Sequence, residues 1–120
     1  MTAADLDIEH LVHRMGLEDE DEVHEVVNFF LETAEPRLAE LFRAVASRDA
    51  ENTRHHAHAA KGAAKSVGAE ALAGHLIAIE TGLAEQRWPD IDAHTEQLGG
   101  CLERVRAALD SWTPDFKPVE

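Results

Sequence analysis

The sequence predicts an all-α protein, an antiparallel four-helix bundle with a short extra N-terminal helix. Apolar residues recur at intervals of three and four along most of the 120 residues, which is the spacing of one helix face. Alternating runs rich in Val, Ile and Thr, which would predict strands, are absent from the sequence. The connections between the periodic stretches are short, so we expect consecutive helices to pack antiparallel.

The first two periodic stretches predict a short helix followed by a long one. The short helix covers residues 5–15 and stops at Gly16, a residue type common just past helix ends. The long helix covers residues 19–45 and contains Pro36; because the apolar phase continues across the proline, we predict one kinked helix. Its apolar positions are Val23, Val27, Phe30, Ala34, Leu38, Leu41 and Val45.

Three further helices complete the prediction. The third begins after Asp49 as N-cap, turns a small-residue face inward and ends at Gly68. The fourth covers residues 70–86, and Trp88-Pro89 is interpreted as the connector to the last helix, which continues across Gly99-Gly100. The predicted inward positions of the third helix are Ala57, Ala60, Ala64 and Val67. Those of the fourth helix are Leu72, Leu76, Ile79 and Leu83. Those of the last helix are Ile91, Leu98, Cys101 or Leu102, Val105 and Leu109.

The domain prediction assigns residues 1–112 to the bundle, with the short first helix as a lid. Residues 113–120 contain two prolines and little apolar content, and are predicted to be a flexible C-terminal tail. No repeat, linker or low-complexity segment in the sequence indicates a second domain.

Composition excludes several classes of partner. The formal net charge of −13 argues against nucleic acid, whose phosphates would repel this surface. No apolar run approaches the roughly 18 residues that a membrane span needs. Cys101 is the single cysteine, so no internal disulfide can form, and the cytoplasm is the expected location. The acidic run at residues 18–22 is interpreted as a solvated helix N-terminus rather than a docking patch.

The third helix carries an unusual polar face. In a chain this acidic, three cations and a histidine fall on one stripe of it, opposite the alanines: Arg54, His58, Lys61 and Lys65. Small residues surround the stripe where bulky solubilising side chains are expected: Ala59, Gly62 and Ala63. Gly62 costs about 1 kcal/mol relative to alanine inside a helix. An imidazole, a cation one turn away and an open patch suit a site that handles a phosphoryl group.

This segment resembles the histidine phosphotransfer (HPt) domains of two-component phosphorelays. The family pattern has lysine and glycine three and four residues after a histidine, a second glycine ten residues after it, and a glutamine or glutamate near the end of the next helix. The sequence matches with His58, Lys61, Gly62, Gly68 and Glu80. The best-matched stretch is residues 54–83, and Ala60 departs from the larger residue common at that position.

The resemblance implies a role for each matched residue. His58 is the expected phosphohistidine, Lys61 stabilises the phosphoryl oxygens, and Glu80 orients the imidazole through its Nδ1 proton. The docking surface implied for partners consists of Arg54, Gly62, Lys65 and Gly68.

The resemblance also implies a monomeric phosphocarrier without kinase activity of its own. Its expected partners are response-regulator receiver domains, with a hybrid histidine kinase as a further candidate. No cofactor or metal is expected on this chain, since Mg²⁺ is held by the receiver domain.

Three other interpretations of the histidines remain open at this point. A metal site is suggested by His55 and His58, or by His10 and His13, but no cysteine or nearby carboxylate completes a tetrahedral set. A histidine-kinase dimerisation domain usually has an acidic residue directly after the histidine, where this chain has Ala59. The basic stripe alone also fits a non-catalytic helical adaptor that binds an acidic partner. An enzyme is not indicated, because the sequence has no glycine-rich phosphate loop.

Overall fold

A computed structural model describes residues 3–113 of the protein, and within that range it contains five helices and no strand. The helices are α1 (Ile8–Met15), α2 (Glu20–Ala46), α3 (Ala50–Val67), α4 (Glu70–Ala84) and α5 (Trp88–Ser111). Helices α2 to α5 form a closed ring, in which α3 packs against α2 and α4, and α5 packs against α4 and α2. Helix α1 packs across α2 and α3. The predicted helical bundle with an extra N-terminal helix is confirmed.

The core consists of the apolar stripes that the sequence predicts. Every inward position predicted for α2, α3 and α5 is buried, and Cys101 and Leu102 are both buried rather than one of them. On α4, Leu83 is only partly buried. Leu31, Ala44 and the polar Thr53 are also buried, although they are not among the predicted core positions.

The helix ends follow from specific capping contacts. The carboxylate of Asp19 accepts a hydrogen bond from the Glu22 amide at 2.9 Å, and Glu22 in turn accepts one from the Glu18 amide at 2.8 Å. The acidic run thus caps the N-terminus of α2, where free amides and the helix dipole favour negative charge. Asp49 caps α3 in the same way, accepting from the Asn52 amide at 3.1 Å.

Two predicted helix starts are corrected. Helix α1 begins at Ile8 rather than at residue 5, because Asp7 is its N-cap and accepts from the His10 amide at 3.0 Å. Helix α5 already begins at Trp88, so Trp88-Pro89 is its first turn and not a connector. Proline is tolerated there because the first-turn amides have no intrahelical partner.

One predicted helix end is also corrected, since α4 ends at Ala84 rather than at residue 86. Helix α2 runs through Pro36 as one element, and α5 runs through Gly99-Gly100. The kink at Pro36 and the domain boundary after residue 112 stay predictions. Of the predicted tail, Thr113 is exposed and lies outside the helices, and residues 114–120 lie outside the described residues. None of the described helices combines the length and the apolar character needed to cross a membrane.

Candidate functional site

Helix α3 presents His58 to solvent on the face opposite the core. Ala57, Ala60 and Ala64 are buried on its inner face, because their small side chains allow α3 to approach α2 and α4 closely. The His58 side chain is 69% exposed. An imidazole with this exposure can be reached by another protein without any rearrangement of the bundle.

Glu80 reaches the same site from the neighbouring helix α4. Its Oε1 lies 3.7 Å from Nδ1 of His58, slightly beyond hydrogen-bond distance. Because the two nitrogens lie on opposite sides of the imidazole ring, the approach of Glu80 to Nδ1 leaves Nε2 directed away from the carboxylate. The carboxylate is therefore positioned to hold a proton on Nδ1, provided that one side chain moves by a fraction of an ångström.

Lys61 is paired with this carboxylate. Its Nζ lies 3.0 Å from Oε1 and donates a hydrogen bond to Oε2 at 3.3 Å. The side chains of Lys61 and Glu80 are only 20% and 25% exposed, so the pair is partly shielded from water. Oε1 is removed from solvent and, despite its nearness to Nζ, accepts no well-aligned hydrogen bond among the described residues. This oxygen retains an acceptor position for the Nδ1 proton of His58.

The surface next to His58 is open. A Cβ placed on Gly62 would have no atom of another element within 4 Å. Gly62 and Ala63 are exposed and Ala59 is half-buried, so no bulky side chain of α3 covers this area. A shallow cavity of about 230 Å³ continues from Ala59 and Ala63 to Phe30 and Arg37 of α2.

The predicted docking residues divide into two groups. Arg54, Gly62 and Lys65 are exposed on α3 as expected. Gly68 is not: it is buried at the C-cap of α3, and the structure corrects its assignment to the docking surface. Its carbonyl accepts a hydrogen bond from the Asp7 amide at 2.8 Å, and a Cβ there would lie 2.6 Å from the Asp7 carbonyl oxygen. The glycine is needed because its φ of +78° is left-handed and the N-terminal segment passes directly over it.

The other histidines form no comparable site. Among the described residues, no group of three or more His, Cys, Asp or Glu side chains is arranged to hold a metal ion. His24, His75 and His94 are half-buried. His75 and His94 contact each other across α4 and α5, and nothing in their separate helical phases indicates that the two rings meet.

Comparison with known proteins bears on the family and the fold of this chain. The family model described as "Hpt domain" matches residues 25–108. Among solved structures, the crystal structure of histidine-containing phosphotransfer protein B (HptB) from Pseudomonas aeruginosa PAO1 is similar, with a TM-score of 0.78 and 29% sequence identity over 91% of this chain and 94% of that chain. A search of the curated proteins gave no significant match. The helical bundle and the family match together show that this chain belongs to the Hpt domain family, whose members carry out histidine phosphotransfer in phosphorelays.

Proposed function

We propose that His58 is the residue through which this domain accepts and donates the phosphoryl group. The observation that carries the proposal is the combination of an exposed imidazole, a carboxylate 3.7 Å from its Nδ1 and an open surface at Gly62. A proton held on Nδ1 leaves the Nε2 lone pair free for attack. Phosphoryl transfer requires mainly such positioning and the stabilisation of charge.

The proposed step is a direct displacement at phosphorus. The Nε2 lone pair of His58 forms a bond to the phosphorus of a partner's aspartyl phosphate, and the bond from phosphorus to the aspartate oxygen breaks. The electron pair leaves with the aspartate carboxylate. His58 keeps its Nδ1 proton and becomes positively charged, and the Glu80 carboxylate stabilises that charge. The reverse step returns the phosphoryl group to an aspartate.

Lys61 can interact with Glu80 before phosphoryl transfer and with the phosphoryl group after it. In the resting protein its ammonium group neutralises Glu80. A phosphoryl group on Nε2 brings further negative charge to the surface of α3, one helical turn away from Lys61. Because a lysine ammonium is a compact charge on a flexible stem, it can turn from Glu80 to a phosphoryl oxygen. We infer that Lys61 stabilises the phosphorylated state.

The proposed partners are receiver domains of response regulators, with a hybrid histidine kinase as a further phosphoryl source. The protein then acts as a monomeric cytoplasmic phosphocarrier without kinase activity. Mg²⁺ is supplied by the receiver domain, where it neutralises charge on the transferring group. On this chain, Arg54 and Lys65 offer positive charge on either side of His58 to an acidic receiver surface.

The test is phosphoryl transfer from a panel of receiver domains phosphorylated with acetyl phosphate. The wild-type protein is expected to gain an acid-labile phosphate from at least one receiver, and His58→Gln is expected to gain none. His55→Gln is the matched control, because His55 lies on the same helix and is exposed. Circular dichroism checks that each variant folds. Persistent labelling of His58→Gln, lost instead in His55→Gln, would move the site. A wild-type protein that binds receivers without accepting phosphate would be an adaptor.

A further inference from the structure

Two histidines meet at the seam between α4 and α5, away from the phosphotransfer site. Nδ1 of His75 lies 2.9 Å from Nδ1 of His94, and the ring centroids are 5.2 Å apart. Both rings are half-buried. His75 lies on the flank of α4 that faces α5, whereas Glu80 lies on the flank that faces α3. The contact therefore joins the helix that carries Glu80 to the helix behind it.

A separation of 2.9 Å is possible for two imidazoles only if one Nδ1 carries a proton and the other does not. Two bare nitrogens would oppose their lone pairs, and two N–H groups would oppose their hydrogens. A first added proton is tolerated, because an imidazolium can donate through Nδ1 to a neutral ring. A second proton removes the acceptor and places two cations in contact. We propose that His75 and His94 form a proton-sharing latch that holds α4 to α5 and opens when both rings are protonated.

The surroundings of the pair disfavour the second proton. Burial lowers the pKa of His75, and the positive charges of His94 and Arg104 lower it further. The Arg104 guanidinium is held near the seam by Asp5 at 3.2 Å. It also donates to Sγ of Cys101 at 3.4 Å, and burial raises the pKa of this thiol, which is therefore neutral near pH 7.

The other neighbour of α4 is helix α3. Helix α3 contributes Lys61, whose ammonium group is bound by Glu80 on the opposite flank of α4. The charged groups that the contacts place beside the histidine pair are Arg104 and its partner Asp5. Arg104 also argues against a divalent cation as the natural occupant, since a metal ion between the rings would be repelled by the guanidinium.

Stability linked to the latch is present above the ordinary histidine pKa and is lost on acidification. In the unfolded chain both rings bind protons as the pH falls through about 6.5. In the folded chain one ring resists protonation, so the unfolded chain binds up to one proton more in this range. Stability therefore falls as the pH decreases below about 6.5, by at most about tenfold in the folding equilibrium constant per pH unit.

The test is urea unfolding between about pH 5 and 7.5, with EDTA present and absent, for the wild type, His94→Gln and the exposed control His13→Gln. We expect the stability difference between the wild type and His94→Gln to be largest at the highest pH and to shrink towards pH 5, while His13→Gln follows the wild type. A difference that is constant with pH would mean simple packing loss. One that disappears in EDTA would mean a bridging metal. Either result would overturn the latch.

A second measurement needs no variant. ¹⁵N NMR of the wild-type imidazoles near neutral pH should show one of the two rings protonated at Nδ1 and the other bare there. If both rings are bare at Nδ1, the hydrogen bond does not exist and the proposal fails. Because neither experiment involves a phosphoryl group, failure of the latch and failure of the proposed function at His58 are distinguishable.

Discussion

At the scale of single residues, Glu80 lies next to both of the other side chains proposed for the site. Its Oε1 faces Nδ1 of His58 at 3.7 Å, and its carboxylate is neutralised by Lys61. Loss of Glu80 would therefore remove the acceptor for the Nδ1 proton and also release Lys61. These two consequences are separated by comparing variants at both positions.

Replacement of Glu80 is expected to change the tautomer of His58. In the wild type the carboxylate favours the tautomer with the proton on Nδ1, and in Glu80→Ala the population should move towards the tautomer with the proton on Nε2. The measurement is ¹⁵N NMR of the His58 ring near neutral pH. Glu85→Ala is a suitable control, because that carboxylate contacts Arg87 rather than the site. If Glu80→Ala leaves the tautomer population unchanged, the carboxylate does not orient the histidine.

Replacement of Lys61 is expected to slow transfer. A charge-assisted hydrogen bond contributes roughly 1.5–3 kcal/mol, so Lys61→Ala should reduce the transfer rate about tenfold or more and shift the equilibrium towards unphosphorylated His58. Rapid-quench measurement of transfer from a phosphorylated receiver provides both quantities. Lys65→Ala removes an equal charge from an exposed position one turn further along α3. Equal rate losses in the two variants would indicate general electrostatic attraction in place of contact with the phosphoryl group.

Some contacts of these residues could be predicted from the sequence, and others could not. His58 and Lys61 share a helix face, which their spacing of three residues predicts directly. The pairing of Lys61 with Glu80 joins two helices and depends on how α3 and α4 pack, so no local pattern contains it. The same holds for Gly68. Its spacing from His58 matched the family pattern, but its burial depends on the N-terminal segment that passes over it.

At the scale of secondary-structure elements, the exposed face of α3 combines low helix propensity with open space. Gly62→Gln should raise the free energy of unfolding by up to about 1 kcal/mol, because glutamine is the better helix former and nothing obstructs its side chain. The same change should slow transfer by obstructing the partner. Gly99→Gln is the matched control, since Gly99 is equally open and lies on α5, a helix that does not pack against α3.

Thermal melts and transfer rates measured on both glutamine variants decide this prediction. Comparable stabilisation of the two variants, with slower transfer only for Gly62→Gln, is the expected pattern. Slow transfer is not explained by docking if Gly99→Gln shows it equally. A loss of stability in Gly62→Gln would assign the glycine to internal packing instead.

Where α4 packs against α5, glycine is needed for close packing, in contrast to the open space around Gly62. A Cβ on Gly82 would lie 2.8 Å from Cγ1 of the fully buried Ile91. Gly82→Ala should therefore destabilise the bundle by about 1–3 kcal/mol, because the core must move to accommodate it. Gly74→Ala on the same helix meets no atom within 4 Å and should be neutral or stabilising. Denaturant unfolding compares the two. Equal effects would show that α4 and α5 are not closely packed at Gly82.

The helices themselves were largely predictable, and their ends were less so. The spacing of apolar residues predicts α2 and α5 across Pro36 and Gly99, because a stripe that keeps its phase requires one continuous element. The predicted start of α1 at residue 5 is too early, since Asp7 caps the helix. The choice of Asp7 depends on its backbone contact with Gly68, which is made only in the folded chain.

At the scale of the whole molecule, the distribution of charge separates the site from the rest of the surface. The chain has a formal net charge of −13, and six of its eleven basic residues fall between positions 37 and 65. Arg54 and Lys65 are exposed on the helix that carries His58. We expect this asymmetry to orient an acidic partner towards α3, since the remaining surface would repel it.

The bundle architecture also explains how the exposed His58 side chain is placed on a rigid surface. The buried alanines of α3 bring its backbone close to α2 and α4, so the helix is held on both sides while its outer face stays free. His58 is positioned by α3 and its neighbour Glu80 by α4. The relative placement of the two residues therefore depends on the packing of these helices and not on a loop.

The most direct test of the central claim is to locate the phosphoryl group on the protein. After transfer from a receiver domain, ³¹P and ¹⁵N NMR at neutral pH should show a single phosphohistidine, with phosphorus bonded to Nε2 of His58 and a proton on its Nδ1. Phosphorus on Nδ1 of His58 would contradict the orienting role of Glu80. Phosphorus on any of the other seven histidines would contradict the assignment of His58 itself.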